Sequence, residues 1–148
     1  MRRQLLSICR EYDRPTAAMW AVVSDLDSYA DHVEALASTP VLRGSGVGAV
    51  RQCVTTSDQR WQETVTAWDD GRSYEIEVDT STYPVVLRGV FRRFTGVWRV
   101  EPVGEDGSRV CMDFIADVRG GCLLWPLVRL AARATRKDLE ATLESYGA

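Results

Sequence analysis

One long amphipathic segment closes this chain, and it follows a stretch patterned as strands and tight turns. Between Leu123 and Tyr146, the residues Leu127, Leu130, Ala131, Ala134, Leu139, Leu143 and Tyr146 fall close to a single helical stripe. Arg129, Arg133, Arg136, Lys137, Glu140 and Glu144 fall mostly off it, and Pro126 fits such a helix only in its first turn. An apolar stripe of this length has to be buried, and the chain supplies a sheet to bury it against. Strands are expected over 49–56, 61–68, 73–80, 90–103 and 108–117. Tyr74, Ile76 and Val78 alternate with Glu75, Glu77 and Asp79, which gives one apolar and one wet face. Val110, Met112 and Phe114 alternate less cleanly with Cys111, Asp113 and Ile115. Turn sequences lie between them: Gly44-Ser45-Gly46-Val47-Gly48, Ser57-Asp58, Asp69-Asp70-Gly71 and Glu105-Asp106-Gly107.

The predicted class is therefore α+β, an antiparallel sheet with one long helix across it. Ahead of the sheet, residues 5–12 read as a strand, and Asp13 and Pro15 signal the start of a short helix. Met19, Trp20, Val23 and Leu26 share one face of that helix, and a second helical turn is expected around 28–33. In the middle of the terminal helix, Ala131, Ala132, Ala134 and Thr135 are small. They fit either close helix-on-sheet packing or a ligand-sized hollow beneath the helix.

With 148 residues and no repeat or linker, residues 1–148 read as one domain able to bury roughly 70% of its unfolded-chain surface. The formal charge of -3 argues against a nucleic-acid partner. No apolar run approaches the roughly 20 residues of a membrane span, and the apolar stretch after Arg2 and Arg3 is too short for an export signal. Cys9, Cys53, Cys111 and Cys122 are scattered without a C-x-x-C spacing, so they read as reduced thiols in a cytoplasmic protein. A lone histidine, His32, permits no Ser-His-acid set and no metal cluster, and no cofactor is expected. Gly44-x-Gly46-x-Gly48 lacks the Lys-Ser/Thr ending of a phosphate loop and precedes a strand.

The order of elements, with particular residues in it, resembles the START/SRPBCC (helix-grip) superfamily, in its polyketide cyclase/dehydrase and lipid-transport branch. The residues that carry the likeness are Pro15-Thr16-Ala17-Ala18-Met19-Trp20-Ala21-Val22-Val23-Ser24-Asp25 with Tyr29, then Gly46-Val47-Gly48-Ala49-Val50-Arg51. Glu63 with Val65 and Asp69, Ser73-Tyr74-Glu75-Ile76 and Gly96-Val97-Trp98 complete it. The resemblance implies a curved seven-stranded sheet wrapped around the C-terminal helix with an apolar tunnel between them. It also implies several activities, from lipid carriers to cyclases, so fold alone does not select one.

Three polar residues are the candidates for catalysis: Arg51, Glu63 and Tyr74. The resemblance turns Arg51 and Glu63, on adjacent strands, toward the cavity. An arginine removed from water needs a carboxylate partner, so the pair reads either as a structural ion pair or as a polar anchor for a ligand carbonyl or enolate. Tyr74 reads as a core tyrosine or as a hydroxyl donor to the cavity. Inward strand and helix positions nominate Trp61, Ile76, Phe94, Trp98, Met112, Phe114, Leu127 and Ala131 as the ligand-binding wall, with core packing as the alternative for the aromatic residues. His32 is expected to be half-exposed or at the cavity mouth, and Arg88, Arg92, Arg93 and Arg99 to form a solvated face or to steer an acidic ligand or partner. The functional expectation is binding of a small hydrophobic ligand, such as a lipid, quinone or polyketide. The alternatives are a cyclase/dehydratase working on such a ligand, or a protein-interaction module of the same fold.

Overall fold

The computed structural model describes residues 1–148. Strand β1 (Arg3–Tyr12) leads into helix α1 (Thr16–Val23) and a 3₁₀ segment (Leu26–His32). Six strands follow in the next stretch of chain or after a short helix: β2 (Leu36–Ser38), β3 (Val41–Arg43), β4 (Val50–Thr55), β5 (Arg60–Asp69), β6 (Ser73–Val78) and, beyond α2 (Val85–Val90), β7 (Phe91–Val103). After β8 (Gly107–Val118) the chain ends in α3 (Trp125–Ala134) and α4 (Arg136–Tyr146). All pairings are antiparallel, in the order β1-β8-β7-β6-β5-β4, with β2 and β3 both on the free side of β4.

The eighth strand arises because the edge strand is broken. Leu36 and Ser38 pair with Thr55 and Val54, and Val41 pairs with Arg51. Pro40 lies between, where it has no N–H to donate, although its carbonyl still accepts from the Gln52 N–H at 3.0 Å. Counted as one interrupted strand, β2 and β3 restore the expected seven. The 3₁₀ segment covers the helical turn expected around 28–33, and Met19, Val23 and Leu26 are buried as the helical face requires. Pro15 immediately precedes α1, but no side chain caps the helix, so Asp13 does not act as a cap.

Two expectations need correction. The terminal helix is two helices, not one. Thr135 interrupts it: its hydroxyl donates to the Ala132 carbonyl at 2.7 Å and its N–H bonds the same carbonyl at 3.1 Å, which tightens one turn and separates α3 from α4. The cysteines are not all reduced thiols either. Cys9 and Cys111 lie directly opposite in the β1–β8 register and form a disulfide, leaving Cys53, buried, and Cys122, exposed, free. The two are 102 residues apart, so only strand register brings them together. The cytoplasmic reading rested partly on four reduced thiols, and the bridge removes that part of its ground. No helix is long and apolar enough to cross a membrane. Without reductant, an alkylating reagent is expected to modify Cys122 in the folded protein and Cys53 on unfolding, with Cys9 and Cys111 reacting only after reduction. Mass spectrometry showing four modified cysteines without reductant would refute the bridge.

The interior divides into two unequal parts. Fifteen buried residues form the larger, among them Met19, Val23, Tyr74, Ile76, Trp98, Met112, Leu143 and Tyr146. Here α4 sits tightly: Leu143 and Tyr146 are buried, the Tyr12 hydroxyl donates to the Leu143 carbonyl, and His32 Nδ1 lies 2.7 Å from Ser145 Oγ. Gly96 gives the Trp98 indole its place, because a Cβ there would come within 2.6 Å of the ring. The smaller part is Leu5, Leu6, Ala116 and Val118, flanked by half-buried apolar residues of β7, β8, α3 and α4. Helix α3 over it has no buried residue.

Candidate functional site

Two β-bulges give this smaller part its shape. One lies between Gln4 and Leu6 against β8, the other between Phe91 and Arg93. An extra residue in a strand breaks the alternation of side chains and bends the backbone. Consequently the neighbours Leu5 and Leu6 are both buried, and Phe91 and Phe94 line the same space. The sheet is irregular where α3 crosses it, and α3 presents Ala131 and Ala132 there instead of bulky side chains. What remains is a cavity of about 540 Å³, in the range typical of small-molecule sites. Leu5 and Leu6 wall it from β1, Leu87 and Val90 from α2, and Phe91, Phe94 and Phe114 from β7 and β8. The helical side is Leu124, Leu127, Val128, Ala131 and Ala132, closed by Thr135 and Leu139. Thirteen of these fourteen residues are hydrophobic; Thr135 is the other.

Of the expected ligand wall, Phe94, Phe114, Leu127 and Ala131 line the cavity. Ile76, Trp98 and Met112 belong to the filled core, with 2%, 3% and 0% of their surface exposed. Trp98 stacks on Tyr74 at 5.1 Å between centroids and meets Phe114 edge-on at 5.9 Å, so it backs the cavity wall from behind. Trp61 is elsewhere: its indole N–H donates to Glu63 Oε2 at 3.0 Å and its ring packs edge-on against Tyr83.

Arg51, Glu63 and Tyr74 also lie outside the cavity lining. Arg51 and Glu63 are partners across β4 and β5, and Arg51 Nε donates to Glu63 Oε1 at 2.8 Å. The guanidinium is buried, stands 4.6 Å over the Tyr29 ring and directs Nη1 at the Leu26 carbonyl. Burial opposes its charge, but Glu63, with Cys53, Tyr74 and Tyr29 around it, holds its pKa above the ordinary arginine value. Burial pushes the neighbouring Cys53 thiol up, with Glu63 adding to the effect. The Tyr74 hydroxyl donates to the Val23 carbonyl at 2.8 Å, tying α1 to β6 and leaving no proton directed at the hollow. His32 is half-buried against α4 with its ring 4.7 Å from that of Tyr146, away from the cavity.

A family model described as polyketide cyclase / dehydrase and lipid transport matches residues 6–146. The chain belongs to that family. No curated protein sequence matches it. Among solved structures, the Zhui aromatase/cyclase from Streptomyces sp. R1128 superposes with a TM-score of 0.75 at 14% identity, covering 99% of this chain and 92% of that one. Ara h 8.0201 gives 0.72 at 12% identity, covering 99% and 98%. Norcoclaurine synthase from Thalictrum flavum, in complex with dopamine and hydroxybenzaldehyde, gives 0.69 at 15% identity, covering 97% and 86%. At these identities the likeness is one of fold.

This member of the cyclase and lipid-transport family keeps its hollow under α3 and fills the larger part of its interior with its own aliphatic and aromatic side chains. Sequence reasoning missed the β1 and α2 contributions to the wall. The apolar run Val85-Val86-Leu87 after Pro84 is a visible signal for α2. No comparable signal marks Leu5 with Leu6, since their shared face depends on the bulge.

Proposed function

We propose that this protein is a single-domain carrier or receptor, over residues 1–148, for a small hydrophobic ligand of the lipid, quinone or polyketide type. The ligand occupies the cavity between α2, α3 and the β1-β8-β7 end of the sheet. The observation that carries this reading is the chemistry of the wall: thirteen hydrophobic side chains, one hydroxyl and no titratable group. Such a wall rewards apolar burial, at roughly 0.8 kcal/mol per methylene. It offers no acid or base within reach of a bound molecule, which favours holding a ligand over moving its protons. Arg51, Glu63 and Tyr74 are read accordingly as a structural knot that fixes α1, β4, β5 and β6.

The test uses a polarity-sensitive fluorescent fatty acid as probe. The parent protein is expected to bind it with a blue-shifted emission and a raised melting temperature, since a ligand selective for the folded state must stabilise it. Ala132→Phe, which places a ring in the hollow, is expected to weaken binding by at least about tenfold while folding is retained. Undiminished binding by a folded Ala132→Phe variant would place the ligand elsewhere.

A further inference from the structure

The charges of this chain are segregated. Residues 80–93 and 118–137 together hold eight of the 18 lysines and arginines and none of the 21 aspartates and glutamates, although the chain as a whole carries -3. These two segments flank the cavity, α2 on one side and the start of α3 on the other. Arg88, Arg119, Arg129, Arg133 and Lys137 form no ion pair; elsewhere in this zone Arg92 and Arg93 are balanced by Asp117 and Glu77, and Arg136 meets Glu140. Arg3 adds a further cation, its guanidinium 5.3 Å from the centroid of the Trp125 ring at the start of α3.

The same two segments expose large apolar side chains: Val85 and Val86 on α2, then Leu123, Leu127 and Leu130, the last three 86%, 65% and 64% exposed. Neither α2 nor α3 buries a single residue. Along α3 the side chains fall into three rows by helical spacing. Leu124, Val128, Ala131 and Ala132 face the cavity; Leu127, which also lines it while 65% exposed, begins a second row with Leu130 and Ala134; Arg129 and Arg133 run along the outer flank. An apolar rim edged by unpaired cations is not the usual finish of a water-facing surface.

We propose that the mouth of the cavity is a docking surface for an anionic phospholipid bilayer, with the valines and leucines entering the headgroup boundary and the arginines taking the phosphates. The two chemical components of the patch match those of such an interface, apolar depth and negative surface charge. A second copy would bring the same cations against themselves in a two-fold contact. A nucleic acid would neutralise the arginines but give the leucines nothing to enter. Docked this way, the cavity opens toward the bilayer, so a lipid-soluble ligand can pass between them without crossing water. The proposal extends the cavity reading, and the two can fail separately.

Flotation of the full chain with vesicles tests it, using phosphatidylcholine alone against phosphatidylcholine with about a third phosphatidylglycerol. Binding is expected to the anionic vesicles and to weaken as salt screens the charges. Arg129→Gln with Arg133→Gln is expected to reduce it about fivefold per arginine. Leu123→Gln with Leu130→Gln is expected to reduce it about tenfold. These four side chains are exposed and none lines the cavity, so melting temperature and fatty-acid uptake without vesicles should stay unchanged. The proposal is overturned by absence from both kinds of vesicle, by equal and salt-independent binding to both, or by undiminished binding of either double variant. It is also overturned if light scattering finds a dimer that the leucine variant dissociates. Uptake of the fatty acid by a protein that ignores vesicles would refute the docking surface and leave the ligand cavity standing.

Discussion

Glu63→Ala is expected to lower the unfolding free energy by about 3–5 kcal/mol, measured as a fall in the denaturant midpoint at unchanged slope. The loss exceeds the value of one ion pair because of what it leaves behind. Arg51 is 3% exposed and has Glu63 as its only carboxylate, at 2.8 Å. Its other contacts are the Tyr29 face at 4.6 Å and the Leu26 carbonyl at 3.5 Å, neither of which neutralises it. Removing the carboxylate strands a guanidinium in the interior, and guanidinium does not deprotonate to relieve it. Trp61 Nε1 loses its acceptor in the same substitution. Replacing both partners, Arg51→Met with Glu63→Leu, is expected to recover most of the stability, because no buried charge remains. A Glu63→Ala variant as stable as the parent would show that water reaches Arg51, and the knot would not be the closed structure described above.

Alkaline titration should give the other large effect. All five tyrosines have their pKa raised by burial: Tyr12 to about 12, and Tyr29, Tyr74, Tyr83 and Tyr146 beyond that. Arg51 opposes the shift at Tyr29, Tyr74 and Tyr146 without overcoming it. An unfolded tyrosine ionises near pH 10, so above that pH the folded state holds protons the unfolded state has released. The stabilisation is complete below about pH 10 and is lost as pH rises toward the folded-state values. A phenol kept neutral two pH units past its ordinary value costs the folded state roughly 3 kcal/mol there, and several act together. Phenolate absorbance is therefore expected to stay low through pH 10, then to rise in one steep step that coincides with loss of far-ultraviolet circular dichroism. A gradual rise centred near pH 10 with the dichroism intact would mean that these hydroxyls reach solvent in the native state.

Most of the β framework could be read from alternation and turn residues: the expected strands over 61–68, 73–80 and 108–117 correspond to β5, β6 and β8 within a few residues. Local patterns of that kind survive because each residue's face is set by its neighbours in sequence. The short strands β2 and β3 left no such trace, since three residues on either side of Thr39 and Pro40 are too few to alternate. The partnership of Arg51 with Glu63 was anticipated, and Phe94, Phe114, Leu127 and Ala131 were among the residues nominated for the wall. Ile76, Trp98 and Met112 looked identical to them in pattern. All face inward, and an inward position does not say whether the space ahead is filled by another side chain or left open.

By itself the sequence determined an antiparallel sheet with a helical C-terminus packed on it and the inward faces of its strands, while the small residues of the terminal helix fitted close packing as well as a hollow. Tertiary structure alone decided the location of the hollow, the pairing of Cys9 with Cys111 and the isolation of Arg51 and Glu63 from the cavity wall. The physical reason is register. Bulges at Gln4/Leu6 and Phe91/Arg93 turn neighbouring side chains to one face, and strand pairing joins cysteines 102 residues apart. Both are properties of two strands together, which neither strand carries in its own residues.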